Sequence, residues 1–318
     1  MTPITREAEL AQRLAANLET CILGKKFEIR LLLTALLAEG HVLLEDVPGT
    51  GKTMLIKALA QSIQGEFRRI QCNPDLLPTD ITGVSMYHPK TETFVYRPGP
   101  VMSNILLVDE VNRATTKTQS ALLEAMEERH VTVDGDRYVL PRPFMLLATQ
   151  NPIDFEGTYR LPEAQLDRFM LKFSLGYPST DSEKAMITGQ SAASPLDDLE
   201  PVTDVDEIIR LQQVVKAVYV DSSIVDYVVD IVTETRKDPM LALGASPRAS
   251  LAFTKALRAY AFLNDRDYVL PDDVKVLAPY VLCHRLILRP EAAMDGMTQA
   301  SVLNSVLQRV KVPVRMEK

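Results

Sequence analysis

The 318-residue sequence has no tryptophan, only three cysteines and four histidines, and no long apolar run. Because Cys21, Cys72 and Cys283 stand far apart and the histidines are scattered, the close Cys and His spacing of zinc sites is missing. Nothing approaches the roughly 20 apolar residues that span a bilayer, and residues 1–10 lack the apolar run of a signal peptide. These absences predict a cytoplasmic protein with no membrane insertion and no zinc site.

Positive charge is also scarce, with 35 Lys and Arg residues against 42 Asp and Glu residues and a formal net charge of -7. An acidic balance disfavours unselective attraction to nucleic acid or to acidic membranes, so we do not expect a nucleic-acid partner. Apolar residues make up 46 % of the chain, which is enough for a sizeable core. At this length we expect two domains.

Five apolar segments in the first part of the chain are predicted strands, at residues 41–44, 68–72, 104–108, 143–148 and 169–175. The third and fourth are uninterrupted hydrophobic runs, which are typical of central parallel strands covered on both faces. Helical periodicity occurs between the strands, for example at residues 54–63 and 117–128. The alternation predicts a doubly wound parallel α/β sheet with helices on both faces.

Two helices and two hairpins complete this layer. Residues 8–18 and 27–39 have helical periodicity, and Gly40 ends the second run where helix C-caps favour glycine. Residues 130–140 alternate on both sides of Asp134-Gly135, a strong hairpin signal, and residues 83–99 form a weaker second candidate.

Strand-like runs disappear after residue 178. The remaining helical segments lie near residues 181–190, 205–220, 222–237, 248–263 and 272–285. We therefore predict an α/β domain at residues 1–178 and a smaller all-α domain at residues 179–318.

The strongest local pattern is the loop Pro48-Gly49-Thr50-Gly51-Lys52-Thr53, which lies between a predicted strand and a predicted helix. Backbone amides of such a loop and the positive end of the helix dipole converge on one point, which favours a polyphosphate. Lys52 adds a positive charge, and the Thr53 hydroxyl is placed to bind magnesium. An ordinary glycine turn is the alternative, and Asp46 stands where the strict pattern has its first glycine. We predict that Pro48 to Met54 bind ATP with Mg²⁺.

Two acidic residues follow the predicted strand 104–108. Asp109 and Glu110 would lie at the carboxyl end of that strand, where ligands of open α/β sheets bind. Asp109 would hold the magnesium ion, and Glu110 would orient and deprotonate the attacking water. The alternative is that the two acids only cap the next helix.

Other polar residues have weaker signals when taken alone. Thr149-Gln150-Asn151 follows the next buried strand, so a side chain from this triplet would either position the water or satisfy backbone groups. Arg168 precedes the last predicted strand, and Arg248 begins a helix of the second domain. Spacing alone does not separate a nucleotide role for these arginines from surface ion pairs.

The order of these segments resembles the AAA+ ATPases and, more narrowly, the MoxR family of ATP-driven chaperone-like proteins. The segments that carry the resemblance are residues 41–53, Ile81-Thr82-Gly83, Arg97-Pro98-Gly99-Pro100, residues 107–114, residues 148–152 and residues 162–169. Asp46 is a departure that this family shares. The resemblance implies Lys52 and Thr53 in the Walker A role, Asp109 and Glu110 in Walker B, and Asn151 as sensor 1.

The resemblance also gives roles to residues that spacing left open. It implies that Arg168 is an arginine finger for a neighbouring subunit and that Arg248 is sensor 2 in the lid. Ile22 and Leu23 match a segment that packs near adenine. In such P-loop NTPases the sheet order is 5-1-4-3-2, the C-terminal domain is a lid, and the two hairpins face the pore of a ring.

The implied protein is a homo-oligomeric ring, a hexamer, in which ATP hydrolysis remodels or activates a client protein. Partners with a von Willebrand factor A domain occur with this family. Two alternatives stay open: a nucleotide-gated scaffold with little turnover, and a nucleic-acid motor of the same superfamily.

Overall fold

The structure, a computed structural model, describes residues 3–151, 159–188 and 195–313. Its strands in chain order are β1 (Val42–Glu45), β2 (Phe67–Gln71), β3 (Gly83–His88), β4 (Thr93–Pro98), β5 (Ile105–Asp109), β6 (His130–Val133), β7 (Asp136–Val139), β8 (Met145–Gln150), β9 (Leu171–Phe173), β10 (Leu241–Leu243) and β11 (Ile287–Leu288). Its helices are α1 (Pro3–Cys21), α2 (Lys26–Leu37), α3 (Lys52–Ser62), α4 (Pro78–Thr82), α5 (Thr116–Glu128), α6 (Glu163–Leu166), α7 (Thr180–Thr188), α8 (Val205–Lys216), α9 (Ser222–Lys237), α10 (Pro247–Leu263), α11 (Pro271–Leu282), α12 (Pro290–Met294) and α13 (Gln299–Arg309). In these described ranges, no helix is both long and apolar enough to cross a membrane.

Five strands form one parallel sheet in the order β2-β5-β8-β1-β9. Renumbered from 1 to 5 along the chain, these strands have the order 5-1-4-3-2, so the predicted topology is confirmed. Ile105 of β5 lies opposite Phe67 of β2 and Met145 of β8. Because all five strands are parallel, the ends of β1, β2, β5 and β8 meet at one edge of the sheet.

Alternate residues of the strands face two different cores. Val42 and Leu44 of β1 pack with α1, α2 and α3, whereas Leu43 packs on the opposite face with α5. The first core continues into α8 to α11 and α13, and α2 packs directly on α10. Fully burying one leucine of this kind contributes about 1.5–3 kcal/mol. The N-terminal helices therefore join the α/β layer to the C-terminal helices.

Both predicted hairpins are present as β3–β4 and β6–β7. Asp134 and Gly135 have φ values of 53° and 90°, so both turn residues are left-handed, as a tight two-residue hairpin turn requires. Tyr96 of β4 stacks on Tyr138, with ring centroids 3.8 Å apart, and this contact joins the two hairpins.

The C-terminal part is mainly helical, as predicted, with two additions. β10 pairs with β11 in a short antiparallel ladder, and α12 and α13 follow it. Strands of three and two residues are too short for alternation to reveal. The predicted helix at residues 181–190 corresponds to α7, and its last two residues lie outside the described ranges. The boundary between residues 178 and 179 stays a prediction.

The end of α2 differs from the expectation for Gly40. Glu39 takes the left-handed conformation, with φ 56°, and its carboxylate pairs with Arg129 at 2.8 Å and with Lys216 at 2.5 Å. Burial alone would raise the pKa of Glu39, but the two cations lower it below its ordinary value. A Cβ at Gly40 would lie 2.5 Å from the sulfur of Met170, so glycine is needed there for close packing. Gly40 does follow the end of α2, but the prediction that it acts as the helix C-cap was wrong: Glu39 takes the left-handed conformation, and Gly40 allows close packing on Met170.

His41 joins α5 to the sheet through its buried ring. Its Nδ1 accepts from Leu146 N at 3.0 Å, so its Nε2 carries the proton and donates to Met126 O at 3.1 Å. Burial lowers the pKa of His41 from 6.5 to about 3, and the ring is therefore neutral. The end of α5 is thus fixed to β8.

We expect the protein to lose stability as the pH falls below about 6.5, because an unfolded His41 takes up a proton that the folded ring refuses. With a depressed pKa in the folded state, the contribution is complete above pH 6.5 and decreases toward pH 3. Between pH 7.5 and pH 5 the loss from this ring is roughly 2 kcal/mol. Denaturant unfolding at several pH values measures it.

The variant His41→Gln should be less stable than the wild type at pH 7.5, but its free energy of unfolding should decrease less on acidification. His88→Gln changes an exposed ring on β3 and serves as the control. Parallel curves of stability against pH for all three proteins would contradict the assignment of this pH dependence to His41.

Candidate nucleotide-binding site

The predicted phosphate loop connects β1 to α3, and its shape depends on two glycines. Gly49 and Gly51 have φ values of 85° and 86°, a left-handed conformation that other residues adopt only with strain. Gly51 is the N-cap of α3, so the first free amides of that helix lie at the loop. This arrangement is suited to an anion.

The loop and the two predicted acids line one cavity of about 450 Å³. The predicted residues on its wall are Pro48, Gly49, Thr50, Gly51, Lys52, Thr53, Met54, Asp109, Glu110 and Asn151. Lys52 Nζ donates to Val47 O at 2.7 Å and lies 3.3 Å from Thr50 Oγ1, so its charge is held at the loop. The fold therefore brings together residues from the ends of β1, β5 and β8.

Asp46, the departure from the strict pattern, has a structural role of its own. Its Oδ2 accepts from Thr50 Oγ1 at 3.0 Å, from Leu175 N at 2.9 Å and from Gly176 N at 3.0 Å. Its Oδ1 accepts from Val47 N at 3.0 Å. The buried carboxylate thus ties the phosphate loop to the segment that follows β9.

Thr149 fixes Asp109 and Glu110 relative to each other. Its Oγ1 donates to Asp109 Oδ1 at 3.2 Å and accepts from Glu110 N at 2.9 Å. Glu110 has φ 55°, which turns its backbone out of the strand direction immediately after β5. Burial, together with the charges of the two acids, raises the pKa of the neighbouring Cys72 thiol to about 12, so that thiol stays neutral.

Two residues of β2 that were not predicted bind the acids. Arg69 Nε lies 2.6 Å from Asp109 Oδ2, and Gln71 Nε2 donates to Glu110 Oε2 at 3.0 Å. Arg69 also donates to Gln71 at 3.1 Å, so one chain of hydrogen bonds links the two carboxylates. The sequence contained a signal for both residues. Arg69 and Gln71 share a face because they alternate along β2, and the order 5-1-4-3-2 places β2 beside β5, which carries the acids.

The donor set fits a magnesium ion that arrives with a nucleotide. Mg²⁺ usually takes one or two carboxylates together with substrate phosphates, and Asp109 and Thr53 line the same cavity. Within the described part of the chain, no group of three or more His, Cys, Asp or Glu side chains could hold a metal unaided. The site thus suits a nucleotide-borne cation.

Ile22 and Leu23 do not line this cavity. Ile22 is buried in the core, and Leu23 is 38 % exposed beside it. Lys25 Nζ donates to Tyr177 O at 2.9 Å, and Tyr177 directly follows the segment that Asp46 holds. Their predicted position near adenine stays a prediction.

Arg168 and Arg248 lie together, outside the set of residues that line the cavity. Glu127 of α5 pairs with Arg168 Nε at 2.9 Å and with Arg248 Nη2 at 2.5 Å. The arginine side chains are 30 % and 48 % exposed. The Arg168 N–H does not point at Glu127, and Nε has no hydrogen-bond acceptor among the described residues.

Comparison with known proteins identifies the family. Residues 41–171 match the ATPase family associated with various cellular activities (AAA), and residues 233–306 match the AAA lid domain. The Chaperone MoxR1 of Mycobacterium tuberculosis is 43 % identical over 98 % of this chain and 84 % of its own. The chain belongs to the MoxR family of AAA ATPases.

Two further proteins are similar to this chain in sequence or in fold. The uncharacterized protein YeaC of Bacillus subtilis is 53 % identical over 94 % of this chain and 93 % of its own. A crystal structure from Cytophaga hutchinsonii has a TM-score of 0.90 at 36 % identity and covers 98 % of this chain and 97 % of that one. This member of the MoxR family is an ATPase with a P-loop sheet and a lid, as predicted.

We expect Asp46→Gly, which restores the strict glycine pattern, to weaken ATP binding rather than improve it. The change removes the acceptor of four donors around the loop, and a buried donor left without a partner costs about 1–3 kcal/mol. The dissociation constant for ATP should rise roughly tenfold or more.

Calorimetric titration with ATP measures this effect, with thermal unfolding recorded alongside to confirm that the variant is folded. Asp46→Asn keeps one acceptor oxygen and should give an intermediate affinity. ATP binding by Asp46→Gly as tight as that of the wild type would show that the carboxylate does not support the loop.

Proposed function

We propose that this MoxR-family ATPase works as a homo-oligomeric ring, a hexamer, that hydrolyses ATP to remodel or activate a client protein. The observation that supports the proposal is that the predicted site residues lie in two separate groups, which we treat as two half-sites. Lys52, Asp109 and Glu110 line the cavity, whereas Arg168 and Arg248 lie elsewhere, on Glu127. A site made of both halves is complete only when a neighbouring copy supplies the second.

The first half-site holds the nucleotide and the water. In this proposal the loop amides and Lys52 hold the phosphates, and Thr53 and Asp109 hold Mg²⁺. When bound, Mg²⁺ compensates the negative charge of the phosphates. Glu110 accepts the proton of the attacking water, and Asn151, which follows β8, positions that water.

Glu110 is held by two contacts in the described conformation. Its carboxylate accepts from Gln71 at 3.0 Å and pairs with Arg113 at 3.2 Å. Both contacts are made by one carboxylate oxygen, Oε2. In this proposal the attacking water binds at Oε1 or replaces one of these contacts.

The second half-site supplies positive charge to the neighbouring subunit. Two guanidinium groups that share one carboxylate leave a net positive charge, and both side chains are partly exposed. Exposed ion pairs are worth about 0–1 kcal/mol, so phosphate oxygens can replace Glu127 at little cost. Arg168 would act as the finger, with Arg248 beside it in the same copy.

The client role has support from an exposed apolar surface and from a relative's name. The β3–β4 hairpin exposes five large apolar side chains, Val84, Met86, Tyr87, Phe94 and Val95. Solvent-exposed apolar clusters of this kind mark protein-binding surfaces. The relative from Mycobacterium tuberculosis is named a chaperone. A partner with a von Willebrand factor A domain, implied by the family, is one class of protein to expect.

Glu110→Gln should bind ATP as the wild type does and lose at least 100-fold in turnover, because the amide cannot accept the proton. Lys52→Ala should lose ATP binding itself. Steady-state phosphate release and a fluorescent nucleotide titration separate the two effects. A scaffold that binds ATP without hydrolysis would barely respond to Glu110→Gln.

Partner capture with Glu110→Gln held in its ATP state tests the client role. We expect proteins that enrich over a Lys52→Ala control, because stalled hydrolysis prolongs the bound state. No enrichment over that control would remove the support for remodelling. Stimulation of turnover by nucleic acid would instead favour a nucleic-acid motor.

Arg168→Ala should lower turnover by roughly 10³- to 10⁵-fold, in line with other arginine fingers, while ATP still binds. Because the finger comes from another copy, wild-type activity per subunit should rise with protein concentration as rings assemble. Arg210→Ala, an exposed arginine of α8, is the matched control. Constant activity per subunit across the range in which rings dissociate would contradict a finger in trans.

A further inference from the structure

Asp167, the residue directly before Arg168, is bound by the C-terminal helical part on both carboxylate oxygens. Its Oδ1 accepts from Arg285 Nε at 2.7 Å, and its Oδ2 accepts from Ser246 Oγ at 2.8 Å. Arg285 follows α11, and Ser246 precedes α10. The carboxylate beside the finger is therefore bonded to the lid at two separate points.

Arg285 also holds the main chain on both sides of Arg168. Its Nη2 donates to Asp167 O at 3.1 Å and to Phe169 O at 2.7 Å, and Nη1 donates to Met170 O at 3.4 Å and to Val281 O. The side chain is 1 % exposed, so nearly all of its donors are used inside the protein. A planar guanidinium keeps these acceptors in a fixed relation to one another.

Ser246 connects the same carboxylate to Arg248. Its hydroxyl caps α10 by accepting from Ala249 N at 3.3 Å, and Arg248 is the second residue of that helix. A displacement of the lid therefore moves the backbone that carries Arg168 and the helix start that carries Arg248 together. Both arginines meet at Glu127, outside the lid helices.

We propose that Asp167 and Arg285 are positioning residues that couple the lid of one subunit to the finger it gives to the next. The inference rests on the proposed role of Arg168 in trans. A lid that shifts with its own nucleotide state would change the position of Arg168 in the neighbouring site. The coupling makes hydrolysis in one subunit depend on the state of the subunit that supplies the finger.

Turnover of single and double variants tests the coupling. Asp167→Asn should lower kcat by roughly 10- to 100-fold, since displacements of about 1 Å have effects of this size. The KM for ATP should stay within about twofold, because Asp167 does not line the cavity of its own subunit. Asp167→Asn combined with Arg168→Ala should be no slower than Arg168→Ala alone, because the two changes remove the same contribution.

Ser246→Gly is a milder variant for the case in which Asp167→Asn does not fold. Glycine is well tolerated at an N-cap, so mainly the bond to Asp167 is lost. Thr298→Gly removes the comparable cap hydroxyl of α13, which accepts from Ser301 N at 3.1 Å, and is the matched control. Ser246→Gly should slow turnover, and Thr298→Gly should not.

Mixed rings show whether the effect acts in trans. Lys52→Ala subunits that also carry Asp167→Asn should depress the activity of added wild-type subunits more than Lys52→Ala subunits do. The depression should approach that caused by subunits with Lys52→Ala and Arg168→Ala. A purely structural role predicts no such effect on the neighbour.

The outcomes separate this inference from the proposed function. If Arg168→Ala leaves kcat unchanged, the assignment of Arg168 as the finger is wrong, and the proposed coupling is overturned as well. If Arg168→Ala slows turnover while Asp167→Asn and Ser246→Gly do not, the coupling is overturned and the finger stands. If the losses in kcat caused by Asp167→Asn and by Arg168→Ala multiply in the double variant, the coupling is also overturned.

Discussion

The shared carboxyl edge of β1, β2, β5 and β8 is the constraint on which the rest of the site depends, and polar side chains fix the strands at both ends. Asn104, directly before β5, accepts from Glu66 N at 3.0 Å and donates to Pro143 O at 3.0 Å, so the starts of three strands are aligned. Thr149 joins Asp109 to the end of β8. A one-residue slip in register would break the contacts of Asn104 and Thr149. These polar contacts at the two ends therefore support the register that positions the acids.

The carboxylate of Asp46 lies next to the phosphate loop, but its hydrogen bonds direct its negative charge away from the position of a polyphosphate. Four donors surround it, and its oxygens are directed at the loop backbone and at the segment after β9. The same segment continues to Tyr177, which Lys25 binds. The residues next to Ile22 and Leu23 are therefore connected to the phosphate loop through Tyr177 and Asp46. A glycine at position 46 would leave the two regions to move independently.

Sequence reasoning recovered what depends on local pattern. Continuous apolar runs predicted β5 and β8, and the Asp134-Gly135 pair predicted the turn between β6 and β7. The family resemblance supplied the strand order that no periodicity contains. Arg69 and Gln71 were missed because their importance comes from strand pairing. Arg285 was missed because its partners on either side of Arg168 lie more than one hundred residues away. Glu127 could not have been chosen from α5, where several glutamates have similar spacing. Long-range electrostatic contacts are the part that one sequence does not reveal.

The ion pair of Arg168 and that of the preceding residue, Asp167, differ in burial. Arg168 and Glu127 are 30 % and 31 % exposed, whereas Arg285 is 1 % exposed and Asp167 is 20 % exposed. Solvent screens the more exposed pair more strongly, whereas loss of one partner from the more buried pair leaves a charge without compensation. The Arg168 side chain can therefore leave Glu127 while its backbone stays attached to the lid. His41 and Arg129 hold the end of α5, so Glu127 does not follow the moving side chain. In its proposed role as a finger, Arg168 would have a weakly held side chain on a strongly held backbone, and it would move with the lid rather than with the sheet.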